Sequence, residues 1–466
     1  MLTPEAINSW KTLPPDLRDI RVSILGIARS GAAVAKLLHS SGCKVFISDT
    51  ARNNNIGQYI SELQSYNIEI ELGGHSDKVL NCDLLIRSPG VPADVPILKK
   101  ARKKNICIAA EIEVASWFCR APIIAVTGSN GKTTTVEWIG DLFHRAGKKT
   151  AVCGNVGTSF SSVAADMKSD DIIVLEVSSF QLEDIHRFRP RVAVITNFSP
   201  DHLDRYDSYE DYIDTKCKIY MNHSSDDALI FNRMDDELVK RVMIASGRKI
   251  SFGTDAAPES GSGVNQTTIR VNTKGAIHDI LDVGQINLPG RHNFENALSV
   301  AAVAVEMGVS DQFIRESLGK FSGVPHRLEV VDENQGVLWV NDSKATNIAS
   351  GLVALESYNR PIVLLVGGRD KGSDFRSVAE KVANRVKSVI LFGEAGSTIE
   401  RAWAGEVPLQ RVSSMAEAIK VSTEEVKTGD VVLLSPMCAS FDEFRNYEHR
   451  GESFKALVKE YVSQSK

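Results

Sequence analysis

The stretch AVTGSNGKTTT at 125–135 constrains this chain more than any other. It follows an apolar run, 122–126, and opens a helical pattern over 132–144. A strand that feeds a glycine turn and then a helix begins a βαβ unit, which demands a parallel sheet with helices on its faces. Gly128 and Gly131 let the backbone fold tightly and turn its N–H groups inward. The helix start adds roughly half a positive charge, which favours a phosphate. Lys132 can reach the β- and γ-phosphates, and the Thr133 hydroxyl can ligate magnesium. Gly128, Ser129, Asn130, Gly131, Lys132, Thr133 and Thr134 are therefore the candidate nucleotide contacts. The two glycines stand closer together than in the full Walker form. The strand before and the helix after still favour nucleotide binding over a plain turn.

The same alternation runs along the chain. Strands are predicted at 22–26, 44–48 and 82–86, then at 172–175 and 192–195, then at 361–366, 388–392 and 430–434. A pair of strands is predicted at 328–331 and 337–340. Helical spacing marks 31–39, 293–305, 375–382, 415–424 and 451–461. The segment GTDAAPESGSGVNQ at 253–266 is aperiodic and reads as a surface loop. A chain of 466 residues fits about three domains. The expected fold class is α/β, with three domains divided at 1–110, 111–323 and 324–466. Apolar residues at 43% supply real cores, and a net charge of -5 excludes the footprint of a general nucleic-acid binder. The seven cysteines include no C-x-x-C pair, so reduced thiols are expected rather than a disulfide framework or zinc site. The N-terminus lacks the pattern of a signal peptide, and no apolar run approaches membrane-spanning length. A cytoplasmic protein, not bound to membranes, is expected.

Two further sites emerge from strand ends. LGIARSG at 25–31 is a variant of the dinucleotide fingerprint with Ala28 in place of the middle glycine, and Asp49 ends the next strand near where a ribose-binding acid would sit. A dinucleotide, another nucleotide-like ligand and a structural turn all remain open for this segment. Glu176 ends the strand DIIVLE, and His202 lies in NFSPDHLDRY just after VAVIT. Parallel strands put their carboxyl ends on one side, so Glu176 and His202 are expected to converge near Lys132. A carboxylate with phosphate oxygens and water suits magnesium.

GSNGKTTT, LEVSSFQLE, NFSPDHLDRY, LPGRHNFENAL, GVPHRLE, NDSKATN, GGRDKGSDF and LSPMCASFDEFRNYEHRG occur in this order. Together, from about residue 20 to the C-terminus, they closely resemble the Mur ligases of peptidoglycan synthesis. SSFQLE, NDSKATN and LSPMCASFDEF are similar to the members that add D-glutamate. The D-N-P-R segment of members that add diaminopimelate or lysine does not occur. The resemblance implies a Rossmann-like N-terminal domain for a UDP moiety, a central P-loop ATPase domain with a parallel sheet, and a Rossmann-like C-terminal domain for the amino acid. It implies ATP and two magnesium ions as cofactors, and UDP-N-acetylmuramoyl-L-alanine and D-glutamate as substrates. A role in cell-wall biogenesis, cell shape and cell division follows. A monomer is expected.

The resemblance also assigns residues. Lys132 would steady the transferred phosphate, with Thr133 and Glu176 at one magnesium and His202 and Lys216 at a second. The family's lysine at the position of Lys216 is carbamylated. That is chemically coherent, because a carbamate offers magnesium anionic oxygens where an ammonium repels it. Only the neutral amine reacts, so an ordinary pKa of about 10.4 must be lowered or the carbamate trapped. Asn293, Arg327 and Asp342 would contact the nucleotide, Arg327 at the γ-phosphate and Asp342 at the ribose. Lys344, Thr346, Lys371, Ser440 and Phe441 would bind D-glutamate, and Tyr447 matches a family aromatic near it. Arg29, Ser30, Asp49 and Thr50 would lie near uracil and ribose, and Ser88, Gly90, Asn155, Ser178 and Gln181 near the diphosphate and sugar. The alternative reading is another ligase of this family or of the folylpolyglutamate type, although the latter leaves the N-terminal block unexplained. A nucleotide switch has no use for Glu176, His202 and Lys216, and a dehydrogenase would bind reduced NAD.

Overall fold

The computed structural model describes residues 2–10, 13, 15–51, 56–200, 205–273, 275–288, 290–370 and 372–464. Among these, three sheets form, and the chain divides into two compact units, 1–321 and 322–466. The α/β expectation holds in each.

The first sheet contains β1 (Arg21–Leu25), β2 (Lys44–Asp49), β3 (Glu69–Leu72), β4 (Leu84–Arg87) and β5 (Ile108–Ala110), all parallel, in the order β3-β2-β1-β4-β5. The winding reverses between β1 and β4. That is the place where an open α/β sheet leaves a crevice for a ligand, and it brings the glycine segment at 26–31 beside Ser88. The Ser88 hydroxyl donates to the Gly26 carbonyl at 3.2 Å.

The second sheet holds β6 (Ile123–Thr127), β7 (Thr150–Gly154), β8 (Ile172–Glu176), β9 (Val192–Ile195), β10 (Ala228–Asn232), β11 (Arg248–Phe252), β12 (Gly261–Asn265), β13 (Thr268–Thr273) and β14 (Ala276–Asp282). Its order is β14-β13-β12-β11-β10-β9-β6-β8-β7. β6 is central, between β9 and β8, and every residue of it is buried. Ile124 and Val126 face a core with Trp138 and Val300, while Ile123 and Ala125 face one with Phe160 and Phe188. A strand covered on both faces needs a continuous apolar run rather than alternation, which is why 122–126 reads so plainly. Trp138, fully buried, stacks on Phe321 at 4.7 Å and donates to the Ser317 carbonyl at 3.3 Å. Each such large side chain contributes roughly 1.5–3 kcal/mol through burial.

The loop expected at 253–266 is corrected here. Its second half is β12, parallel to β11 and antiparallel to β13, and β13 and β14 extend the sheet as an antiparallel ribbon. Glycine and serine sit there because backbones pack closely. A Cβ on Gly261 would lie 2.1 Å from the Ser251 carbonyl, and one on Gly263 would lie 2.4 Å from that of Asp255. The small residues that read as a loop mark a crowded strand.

The unit 322–466 carries the third sheet: β15 (Glu329–Asn334), β16 (Val337–Asn341), β17 (Ile362–Gly367), β18 (Val386–Phe392), β19 (Leu409–Arg411) and β20 (Val431–Leu434), ordered β15-β16-β20-β17-β18-β19. Only the β15–β16 pair is antiparallel among these. The last helix runs Tyr447–Gln464, four residues earlier at its start than the spacing predicts. Asn446 caps it, its side-chain oxygen accepting from the His449 amide at 2.8 Å. The stretch predicted helical at 375–382 opens with a 3-10 turn, Arg376–Val378, before the helix Ala379–Ala383.

Candidate active site

The turn between β6 and the helix Lys132–Arg145 is built for close approach. Gly128 has φ +140°, and a Cβ there would sit 2.0 Å from Thr196 Oγ1. Gly131 has φ +83°, and a Cβ there would meet Asn296 Oδ1 at 2.6 Å. Both positions require glycine for conformation and for space. Neighbouring side chains brace the turn. Thr196 Oγ1 donates to the Asn130 carbonyl at 2.6 Å, Asn197 Oδ1 accepts from the Asn130 amide at 2.9 Å, and Ser129 Oγ donates to the Ser199 carbonyl at 2.9 Å. Lys132 Nζ folds back onto the carbonyls of Gly128 and Ser129, 2.8 Å from each. Thr133 and Thr134 are buried in the first helical turn.

Thr196, Asn197 and Asn296 were not singled out from the sequence. Asn197 lies in the quoted NFSPDH segment, and Asn296 follows Asn293 by three positions in RHNFEN, one helical turn away. Asn296 Nδ2 reaches Asn293 Oδ1 at 3.5 Å, and Asn296 Oδ1 accepts from Thr135 Oγ1 at 3.3 Å. Asn293 is thereby tied through Asn296 to the phosphate turn.

Lys216 reaches this turn, and Glu176 ends the neighbouring strand β8, in register with Val126 two residues before Gly128. Glu176 is 1% exposed, on the strand directly beside β6. Its Oε1 accepts from Asn155 Nδ2 at 2.7 Å, and its Oε2 has no hydrogen-bond partner among the described residues. A buried carboxylate oxygen without a donor is costly, and it fits a cation beside a triphosphate. Lys216, 2% exposed on the helix Tyr209–Cys217, donates to the Gly128 carbonyl at 2.8 Å and lies 4.7 Å from the centre of the Tyr212 ring. Thr133 and Glu176 offer a hydroxyl and a carboxylate, a pair that suits magnesium held jointly with phosphate oxygens. His202 lies outside the described residues, as does Lys371.

The expected precursor contacts in unit 1–321 behave less uniformly. Arg29 donates to the carbonyls of Gly154 and Asn155 at 3.0 and 3.1 Å and also to that of Gly157, joining the first sheet to the loop after β7. Asp49 Oδ2 accepts from the Ile27 amide at 2.6 Å and so braces the glycine segment, while its Oδ1 accepts from the Ala51 amide at 2.8 Å in its own turn. Gln181 Oε1 accepts from the Ser178 amide at 3.0 Å and from its hydroxyl at 3.1 Å. Ser30 is half-buried, and Thr50 and Gly90 are exposed. Asn155 serves Glu176 directly. One residue the sequence reading passed over sits among these segments. Arg87, 2% exposed at the end of β4, pairs with Glu183 and Asp184, each at 2.6 Å, and donates to the carbonyls of Val91 and Phe180.

In the unit 322–466, Arg327 and Asp342 belong to one strained corner. His326 and Leu328, on either side of Arg327, have φ of 63° and 46°. Such conformations cost about 1–3 kcal/mol each and cluster where function demands them. Asp342, 4% exposed, accepts from Ser435 Oγ at 2.8 Å and from the Leu328 amide at 3.2 Å. Burial pushes its carboxyl up to about 7, against the pull of those donors and of the Arg327 charge. Lys344 lies 6.0 Å from the Tyr447 ring centre, Thr346 is half-buried, Ser440 is buried and Phe441 is 59% exposed.

Comparison with known proteins agrees with this layout. Residues 21–97 match the MurD N-terminal domain, 126–304 the Mur ligase middle domain, and 326–438 the Mur ligase glutamate ligase domain. A Salinibacter ruber protein named UDP-N-acetylmuramoylalanine–D-glutamate ligase is 41% identical over 96% of this chain and 99% of its own length. A Koribacter versatilis protein of the same name is 39% identical over 97% of this chain and 100% of its own length. Among solved structures, UDP-N-acetylmuramate-alanine ligase MurC of Thermotoga maritima superposes with a TM-score of 0.55 at 19% identity, covering 96% of this chain and all of that one. E. coli FolC in complex with DHPP and ADP gives 0.54 at 15% identity over 75% of this chain and 93% of its own; both show the shared fold. With three family domains in succession and relatives matching from end to end, the chain belongs to the Mur ligase family.

Proposed function

We propose that this ligase joins D-glutamate to UDP-N-acetylmuramoyl-L-alanine with ATP, in the cytoplasm, as a step of peptidoglycan precursor synthesis. The relatives of that name match it from end to end, and the observation that carries the reading is the meeting of Lys132 and Lys216 on the Gly128 carbonyl of the phosphate turn, with Glu176 buried on the strand beside β6. A free carboxylate is a poor electrophile. The precursor's carboxylate oxygen attacks the γ-phosphorus, ADP leaves, and an acyl phosphate forms. The amine of D-glutamate then attacks the acyl carbon, loses a proton, and inorganic phosphate departs as the amide closes.

Each step gathers negative charge on oxygens, so pre-placed cations carry the catalysis. Lys132 and the amides of 128–134 hold the transferred phosphoryl group. Thr133, Glu176, His202 and Lys216, the last as a carbamate, are the residues that would hold magnesium, with Asn155 orienting Glu176. Bound there, magnesium would neutralise phosphate charge and act as a Lewis acid. Asn293, Arg327 and Asp342 are assigned to the nucleotide. The precursor is assigned to Arg29, Ser30, Asp49, Thr50, Ser88, Gly90, Ser178 and Gln181. D-glutamate is assigned to Lys344, Thr346, Lys371, Ser440 and Phe441. The functional segments are 1–110, 111–323 and 324–466, acting within a monomer. The test is phosphate release from ATP with the purified precursor. Release that requires both the precursor and D-glutamate is expected; release without either, or equal turnover with L-glutamate or diaminopimelate, overturns the proposal.

A further inference from the structure

The third sheet winds outward in two directions from its β17–β20 pair, with β18 and β19 on one side and β16 and β15 on the other. Such a reversal opens a crevice at the carboxyl ends of the strands, the usual ligand seat of an open α/β sheet. In this unit the protein's own side chain reaches those strand ends. Arg450, in the first turn of the helix Tyr447–Gln464, is 0% exposed. Its Nε donates to Ser343 Oγ at 3.0 Å, its Nη2 to the carbonyls of Ser343 at 2.9 Å and Cys438 at 3.1 Å, and its Nη1 to that of Gly367 at 3.4 Å. Ser343 follows β16, Gly367 ends β17, and Cys438 follows β20. One planar guanidinium thus ties three separate strand ends together.

A buried cation is retained only where its hydrogen bonds are well met. Here all four bonds go to carbonyl or hydroxyl oxygens, and none to a carboxylate. Desolvation accordingly lowers the Arg450 pKa to about 10. The fork geometry of arginine suits this task, because fixed donors in one plane set the distances between the loops they hold. Those loops carry Lys344 and Thr346 on one side and Ser440 and Phe441 on another.

We propose that Arg450 is the positioning residue of the amino-acid site. It fixes the spacing of the loops at 343–346, 367–370 and 438–441, and with it the match to a small dicarboxylic amino acid. This rests on the D-glutamate ligation proposed above. The experiment pairs steady-state kinetics with amide hydrogen exchange on the full-length protein. Arg450→Lys keeps the charge and loses the fork. A KM for D-glutamate raised about tenfold or more is expected, with the KM values for ATP and precursor within about twofold, since displacements near 1 Å cost this much. Exchange should quicken in the three loops and stay unchanged in β17 and β20. Ser343→Ala, which removes the Nε acceptor together with the hydroxyl's own bond to the Tyr447 carbonyl at 2.8 Å, should shift the same KM in the same direction by about threefold, and decides the matter if Arg450→Lys does not fold. All three KM values rising together, unchanged KM values with only a lower Tm, or exchange quickened throughout the unit would each overturn the proposal. Wild-type protein that does not ligate D-glutamate would instead remove the functional reading, and this is seen before any variant is made.

Discussion

Lys132 and Lys216 donate to the same acceptor, the carbonyl oxygen of Gly128, each at 2.8 Å. Their nitrogens therefore lie within twice that distance of one another. Two ammonium groups about 5 Å apart repel by about 3 kcal/mol at an effective dielectric of about 20. Carbamylation of Lys216, as proposed, would convert that repulsion to attraction and would provide oxygens for magnesium. Lys216→Ala should lower kcat by about a hundredfold or more, the scale of losing one pre-placed transition-state group. Enzyme stripped of dissolved carbon dioxide should lose activity and regain it on adding bicarbonate, with Lys216→Ala indifferent to both. Full activity in Lys216→Ala would sink the assignment.

Asn155 holds Glu176 at 2.7 Å and leaves the other carboxylate oxygen without a donor among the described residues. The family resemblance gives Asn155 to the sugar nucleotide, whereas the geometry puts its side chain on Glu176, the carboxylate proposed to hold magnesium. Partners of this kind are worth about 10–100-fold in metal affinity. Asn155→Ala should raise the half-saturating magnesium concentration about tenfold and change the precursor KM less. A change confined to the precursor KM would return Asn155 to the substrate.

The parts of this site that are local in sequence were legible from it. The phosphate turn lies within eleven consecutive residues, and its glycines, lysine and threonines carry their reasons with them. Glu176 was readable because a strand end is a place as well as a residue. Lys216 had no signal of its own beyond family resemblance, since its burial depends on the fold around the helix Tyr209–Cys217. Arg450 was invisible for a different reason. Its partners are mainly backbone carbonyls at positions 12, 83 and 107 residues earlier, and a carbonyl leaves no trace in side-chain pattern. β12 misled because Gly261 and Gly263 answer to crowding, while composition alone equates glycine and serine with loops.

Arg87 joins β4 of the first sheet to the 180–184 segment of the second through two ion pairs at 2.6 Å, its own side chain 1% exposed and its partners 14% and 15%. Removing one member of a buried ionic cluster leaves uncompensated charge, at a cost of about 3–5 kcal/mol. Arg87→Met should destabilise by that order in urea unfolding. The triple variant that also neutralises Glu183 and Asp184, as Gln and Asn, should recover part of the loss. Equal stability of Arg87→Met and wild type would show that the pairs contribute nothing net.

Asp342 gives the unit 322–466 a pH dependence with a definite sign. Its carboxyl ionises near 3.8 in an unfolded chain and at about 7 when folded, because burial disfavours the charged form. The folded state therefore binds the proton more tightly. This contribution to stability is fully present below the unfolded value, declines as pH rises, and is lost once pH passes the folded value. About three pKa units correspond to at most about 4 kcal/mol. Asp342→Asn keeps one oxygen for Ser435 or the Leu328 amide and cannot ionise. In urea titrations from pH 4 to pH 8, the variant should gain on wild type by about 2–4 kcal/mol, with most of the change below pH 7. A difference constant across that range would mean that Asp342 is ionised throughout, and the burial argument for its raised pKa would fail.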